Sequence, residues 1–146
     1  MHQEKTQSVP LDVYLTLGEG DLLFIDSTHT VKPGSEVNLI ILEVLSRLAK
    51  GVYVHFHDIY FPYDYKRALM SDGLFFSNES VLLHAFLIGN AHYVIRTSLS
   101  MLHYAVPSEF EKLLSGYKPQ ENDFGLRSGN IEGRHFPSSL YIQKIL

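Results

Sequence analysis

At 146 residues and a formal charge of −4, the chain is long enough for one domain with one core and too short for two comfortable ones. Its scattered lysines and arginines form no basic stripe of the kind a nucleic-acid surface needs. The absence of cysteine excludes disulfides, thiolate chemistry and a Cys-ligated zinc site. No apolar run approaches the length of a membrane span, and the opening MHQEKTQSVP has no signal-peptide core. The expectation is a cytoplasmic protein with neither a membrane nor a nucleic-acid partner.

Leu11, Tyr14, Leu15 and Leu17 outline a short helix or turn, closed by Gly18, Gly20 and Asp21. Leu22 to Ile25 is a short apolar run, which predicts a strand buried on both faces. A loop punctuated by Pro33-Gly34 follows. Ser35 suits a helix N-cap. Val37, Ile40, Ile41, Val44, Leu45 and Leu48 then recur at helical spacing as one apolar stripe. Lys50 and Gly51 read as the last-turn charge and the C′ glycine. Val52 to Phe56 is again strand-like. Strand, helix and strand with short connections predict a right-handed parallel crossover.

An aromatic loop, Tyr60-Phe61-Pro62-Tyr63-Asp64-Tyr65, comes next. Glu79 to Ile88, with Leu82, Leu83, Phe86 and Leu87, predicts a second helix opened by Asn78 and Glu79 and closed by Gly89-Asn90. Tyr93 to Thr97 reads as a strand. Ser108 and Glu111 have the spacing of a capping box for a short helix ending near Gly116. Residues 117 to 138 are polar and glycine-rich and read as a loop, in which Arg127, Arg134 and His135 are expected to be solvated. Leu140 to Ile145 alternates and reads as a final strand at a sheet edge.

Two strand ends carry the chemistry: Phe24-Ile25-Asp26-Ser27-Thr28-His29 and His55-Phe56-His57-Asp58-Ile59. Each puts an acid and a histidine just after an apolar run. In a parallel pair both would open at the carboxyl edge of one sheet, where open α/β sheets bind ligands.

The ordered strings LLFIDSTHTVKPGSEVN, GVYVHFHDIYFPYDY, NESVLLHAFL and SSLYI resemble the C-terminal half of a class I S-adenosylmethionine-dependent methyltransferase. They are similar to the branch whose fourth strand ends in an F-I-D-S-S-H type motif and whose fifth ends in H-F-H-D. The resemblance runs from about residue 9 to about residue 144. It implies an α/β fold, a partial Rossmann-like sheet with flanking helices that lacks the N-terminal strands and the glycine-rich loop. Residues 1–146 would then be a single domain, the C-terminal half of a methyltransferase-like domain: a fragment, a split gene product or a degenerate copy. Gly18-Glu19-Gly20 is too short for the cofactor loop and precedes the wrong strand.

The resemblance also implies S-adenosylmethionine as cofactor and a small-molecule oxygen or nitrogen acceptor. Asp26, Ser27 and Thr28 would bind the cofactor, and His29, His57 and Asp58 would be catalytic. In metal-dependent relatives the two acids, here Asp26 and Asp58, would hold Mg²⁺, which favours carboxylates and water. The catechol-type relatives follow the second Asp with Asn, whereas Ile59 stands here, so one expected ligand is missing.

The residues also have plainer readings. Asp26 could cap the next turn, and Asp58 could pair with a nearby histidine. His29 and His57 are candidate general bases, since imidazole titrates in the useful range. His55 shares a strand face with His57 and reads as a satisfied buried histidine, as do His84, His92 and His103 as structural ones. Tyr60, Tyr63 and Tyr65 either line an acceptor pocket or form an aromatic cluster. Two other functions compete with methyl transfer. His55-x-His57-Asp58 is partly similar to the H-x-H-x-D-H zinc motif of metal-dependent hydrolases, although the Asp spacing differs and the last His is absent. A degenerate half domain could instead act as a non-catalytic interaction module, forming a homodimer or pairing with a separate N-terminal half.

Overall fold

Among the described residues, four strands form one mixed sheet in the order β1-β2-β4-β3. They are β1 (Leu22–Ile25), β2 (Tyr53–His57), β3 (Tyr93–Ser98) and β4 (Ser139–Lys144). This computed structural model describes residues 4–65, 74, 76–118 and 137–146. Most of the loop expected over 117–138, with Arg127, Arg134 and His135, lies outside the described residues.

β1 and β2 are parallel, with Ile25 beside Phe56, as the strand–helix–strand pattern requires. β4 runs antiparallel to both β2 and β3. The last strand is therefore an interior strand, not the edge strand expected from its position in the chain. Its burial shows why: Leu140 and Ile142 are fully buried, and Ser139, Gln143 and Lys144 nearly so. A six-residue segment with that much burial needs a neighbour on each side.

A short helix, α1 (Leu11–Tyr14), precedes β1. The connecting helix α2 runs through Glu36–Asn38, Leu39–Val44 and Leu45–Arg47, and its middle segment is π-helical. Ser35 caps it, accepting from the Asn38 N–H at 3.3 Å. Its apolar residues recur four apart (Ile40 and Val44, Ile41 and Leu45, Val44 and Leu48). That spacing drifts off one face of a regular 3.6-residue helix, and a wider π turn reduces the drift. All six stripe residues are buried. The helix ends at Leu48, three residues short of Gly51. Gly51 is thus not the C′ glycine. It makes the left-handed turn into β2, with φ of 90°.

A single core lies between the sheet and its helices. Ile25, Val54, Phe56, Leu140 and Ile142 cluster with Val37, Ile41, Val44 and Leu45 of α2 and Leu83 of α3 (Glu79–Leu87). Full burial of each such side chain is worth about 1.5–3 kcal/mol. The other face of the sheet is more open. Leu22 and Phe24 are each 54% exposed, so β1 is buried on one face only, not on both as its composition suggests. Across that face Phe24 tilts against His55 at a ring separation of 5.0 Å, and His55 stacks on Tyr141 at 4.1 Å.

After β3 come α4 (Leu99–Ala105) and α5 (Pro107–Leu113). α4 was not anticipated; Ser98 caps it, accepting from the Met101 N–H at 3.3 Å. α5 begins at Pro107, whose fixed φ suits the first helical position, and its N-cap Val106 provides no side-chain bond. Ser108 already lies inside the helix, so the expected capping box does not form.

Two glycines test the backbone argument. At Gly51 an added Cβ would lie 2.6–2.9 Å from Glu19 atoms, its Cα included; at Gly34 (φ 73°) it would meet open space. Gly34→Ala should cost about 1 kcal/mol, the left-handed penalty alone, and Gly51→Ala at least about 2 kcal/mol. Urea unfolding of both variants checks this; equal losses would refute the packing argument.

Candidate active site

Because Ile25 and Phe56 pair in register, Asp26 and His57 emerge side by side at the carboxyl edge. His57 Nδ1 lies 3.7 Å from Asp26 Oδ1 and 3.6 Å from Asp58 Oδ2. Asp58 Oδ2 lies 3.9 Å from His29 Nε2, and Asp58 Oδ1 accepts from the Ser138 hydroxyl at 2.7 Å. The sheet edge therefore gathers Asp26, His57, Asp58 and His29 in one row. His29 and Asp58 both have positive φ, 56° and 53°. His and Asp tolerate that region better than most residues, but holding it still costs about 1–3 kcal/mol.

The row ends at a residue that the sequence reads only as a helix opener. Glu79, 1% exposed, places Oε2 2.8 Å from His29 Nδ1 and accepts from the Ser27 hydroxyl at 2.6 Å. Ser27 Oγ in turn accepts from the His29 backbone N–H at 3.0 Å. The His29 carbonyl accepts from the N–H groups of Asn78 and Glu79, at 2.8 and 3.1 Å. Asn78 Oδ1 accepts from the Val31 N–H at 2.6 Å. Asn78 and Glu79 thus open α3 as expected, but their side chains cross to the β1–α2 loop and do not cap their own helix. A signal was present in the sequence: Glu79 and Leu83 are four apart, so the carboxylate shares the helix face of a core leucine.

The hydrogen bond to Glu79 raises the His29 pKa. Burial opposes it, and the charges of Glu79, Asp58 and Asp26 add to it. His55 moves the other way: burial lowers it, helped by His57. His55 Nε2 lies 3.0 Å from Ser139 Oγ, and its ring stacks on Tyr141, so its polar contact faces the sheet. His84 packs on Phe61. His103 is buried beside Tyr104 and Tyr117, with Nδ1 bonded to the Tyr117 hydroxyl.

Of the three predicted cofactor contacts, Asp26 is more than half exposed. Ser27 turns inward to Glu79, and the Thr28 N–H donates to Glu36 at 2.7 Å. All three line an open cavity of about 540 Å³, together with Lys5, Lys32 and Glu36. Of the loop tyrosines, Tyr63 lines a separate cavity of about 380 Å³ with Phe61 and His84. Tyr60 and Tyr65 pack edge to face at 6.0 Å. Burial, helped by the Glu79 charge, holds the Tyr65 hydroxyl well above its ordinary pKa.

Asp26 and Asp58 do not converge on a vacant point; both approach the same imidazole nitrogen. Among the described residues no group of three or more His, Asp or Glu side chains is arranged to hold a metal ion. The residues as placed do not fit Mg²⁺, and His55 and His57 belong to no such group.

A family model described as a methyltransferase domain matches residues 1–59. The matched segment is methyltransferase-like. It contains β1, α2, β2 and the whole Asp26, His29, His57, Asp58 row, and it is a short N-terminal part of the chain. The mixed sheet with its parallel β1–β2 pair is consistent with a partial Rossmann-like methyltransferase fold. Comparisons with curated proteins and with solved structures give no match. Glu79 lies outside the segment matched to the methyltransferase domain.

The His29–Glu79 contact has a signed pH dependence. The folded value of His29 is raised above its ordinary 6.5, so the stability it contributes is full below about pH 6.5 and is lost as pH rises through the folded value. Denaturant unfolding across pH 6 to 9 should show this decline in the wild type and a flatter profile in His29→Gln. An unchanged profile in the variant would remove His29 as the source.

Proposed function

We propose that this chain supplies the acceptor side of an S-adenosylmethionine-dependent methyltransferase acting on an oxygen or nitrogen of a small molecule. The observation that carries the reading is the row of alternating acids and imidazoles at the carboxyl edge, inside the segment matched to a methyltransferase domain. The cofactor, when bound, would supply an electrophilic methyl group. Asp26 fits it in part: an exposed carboxylate at the mouth of an open cavity accepts from hydroxyl and ammonium donors. Ser27 and Thr28 border the same cavity, Ser27 with its hydroxyl already committed to Glu79.

An acceptor hydroxyl must lose its proton as the methyl arrives. His29 or His57 takes it at a ring nitrogen, and Asp58, within 4 Å of both, steadies the resulting positive charge. Most of the rate comes from holding the acceptor in line. No step is assigned to a metal.

The exposed Leu22 and Phe24 on the β1 edge strand favour a partner there. A separate N-terminal half carrying a glycine-rich loop, or a second copy, would cover that edge. This supports association alongside methyl transfer.

Calorimetric titration of S-adenosylmethionine tests the assignment, with the chain alone and joined to a strand–glycine-rich loop–helix segment. Binding is expected in the joined form, weakened at least about tenfold by Asp26→Ala, roughly one lost charged hydrogen bond. No binding by the joined form would sink the cofactor assignment.

A further inference from the structure

We infer that Glu79 is a positioning residue that holds His29 with its proton on Nδ1 and so presents Nε2 as the basic nitrogen of the crevice. The inference rests on the methyl-transfer reading for its purpose but not for its geometry.

An ionised carboxylate only accepts hydrogen bonds. Glu79 Oε2 takes one from the Ser27 hydroxyl, and the group 2.8 Å away, His29 Nδ1, must therefore be a donor. A neutral imidazole carries one proton, so Nε2 is left with its lone pair. That nitrogen is the one 3.9 Å from Asp58 at the open edge. A buried carboxylate orienting a histidine through Nδ1–H is the arrangement that fixes the tautomer in catalytic triads.

Two further observations support the assignment. The other Glu79 oxygen, Oε1, is buried without a partner. A carboxylate so short of bonds is held in place by the two it keeps, and giving up the one to His29 would leave a buried charge still less satisfied. The backbone is also fixed at both ends of the contact, because the His29 carbonyl takes both N–H groups that open α3. His57 has no such anchor. Its Nδ1 has no hydrogen-bond partner and stands between two carboxylates at 3.7 and 3.6 Å. Among the described residues no hydrogen bond fixes the tautomer of His57 through Nδ1.

In the transfer step the acceptor oxygen forms the new O–CH₃ bond as the S–CH₃ bond breaks with its electrons left on sulfur. The acceptor O–H proton passes to His29 Nε2. The imidazolium then lies between Glu79 on Nδ1 and Asp58 near Nε2, and neither carboxylate needs to move.

Nitrogen NMR of the full chain, ¹⁵N-labelled at histidine and recorded above the titration range of His29, reads the tautomer directly. The expected spectrum has His29 Nδ1 in the protonated, pyrrole-type range and Nε2 in the bare, pyridine-type range. Glu79→Gln, whose amide can donate as well as accept, should lose this single tautomer and give at least half Nε2–H. Ser27→Ala keeps the Glu79–His29 contact and should leave the tautomer as in the wild type, which separates positioning from general loosening of the loop. A wild-type His29 protonated on Nε2 would overturn the proposal, as would a Glu79→Gln spectrum identical to the wild type. If Glu79→Gln does not fold, the wild-type spectrum and Ser27→Ala still decide. No cofactor is present in this experiment. An Nδ1–H tautomer without S-adenosylmethionine binding by the joined form would therefore fault the function, and the reverse result would fault Glu79.

Discussion

A buried carboxylate organises the candidate site. Glu79 sits at the start of α3, almost wholly out of water, and its charge has to be answered locally. The answers come from Ser27 and His29 in the loop after β1. Beside them the His29 carbonyl accepts from the Asn78 and Glu79 N–H groups, and the Val31 N–H donates to Asn78. These bonds dock a helix from late in the chain onto a loop from early in it. They also explain how His29 keeps a left-handed backbone: its amide is held by Ser27, its carbonyl by Asn78 and Glu79, and its ring by Glu79, so the local strain is over-determined by its surroundings.

The sheet extends that constraint to the other strand. The parallel register of β1 and β2 sets Asp26 against His57, and the antiparallel β4 contributes Ser139 and the neighbouring Ser138 to His55 and Asp58. Acids and imidazoles from three separate chain segments end up within hydrogen-bond or ion-pair range of a neighbour. The match to a methyltransferase domain covers the β1–α2–β2 part of this assembly. Glu79 and Ser138 complete it from beyond that segment. α2 and α3 pack on the core face of the sheet, and on the opposite face β1 leaves Leu22 and Phe24 half exposed.

Local pattern was enough wherever one segment decides its own structure. The strand–helix–strand unit, the Ser35 cap and the carboxyl-edge placement of Asp26, His29, His57 and Asp58 follow from apolar spacing and from the rule that short crossovers join parallel strands. Pattern was insufficient where a residue's partner is distant in sequence. Leu140 to Ile145 looks the same at an edge or in the interior, because alternation reports faces and not neighbours. Asn78 and Glu79 suit a helix start whether they cap it or reach across to another loop. The Ser108–Glu111 spacing was a true motif defeated by Pro107 one residue earlier, which starts the helix too soon for Ser108 to stand outside it.

By itself, then, the sequence determined the α/β class, the parallel pair and the four acid–base residues at its mouth, since these depend on periodicity and short connections. Only the tertiary structure decided that β4 lies inside the sheet, that one face of β1 is open, and that His29 is held by Glu79. The first and last of these are pairings between segments from about 40 to 90 residues apart. Such pairings are set by which buried polar and apolar groups must satisfy one another in space, and local propensity carries no record of them.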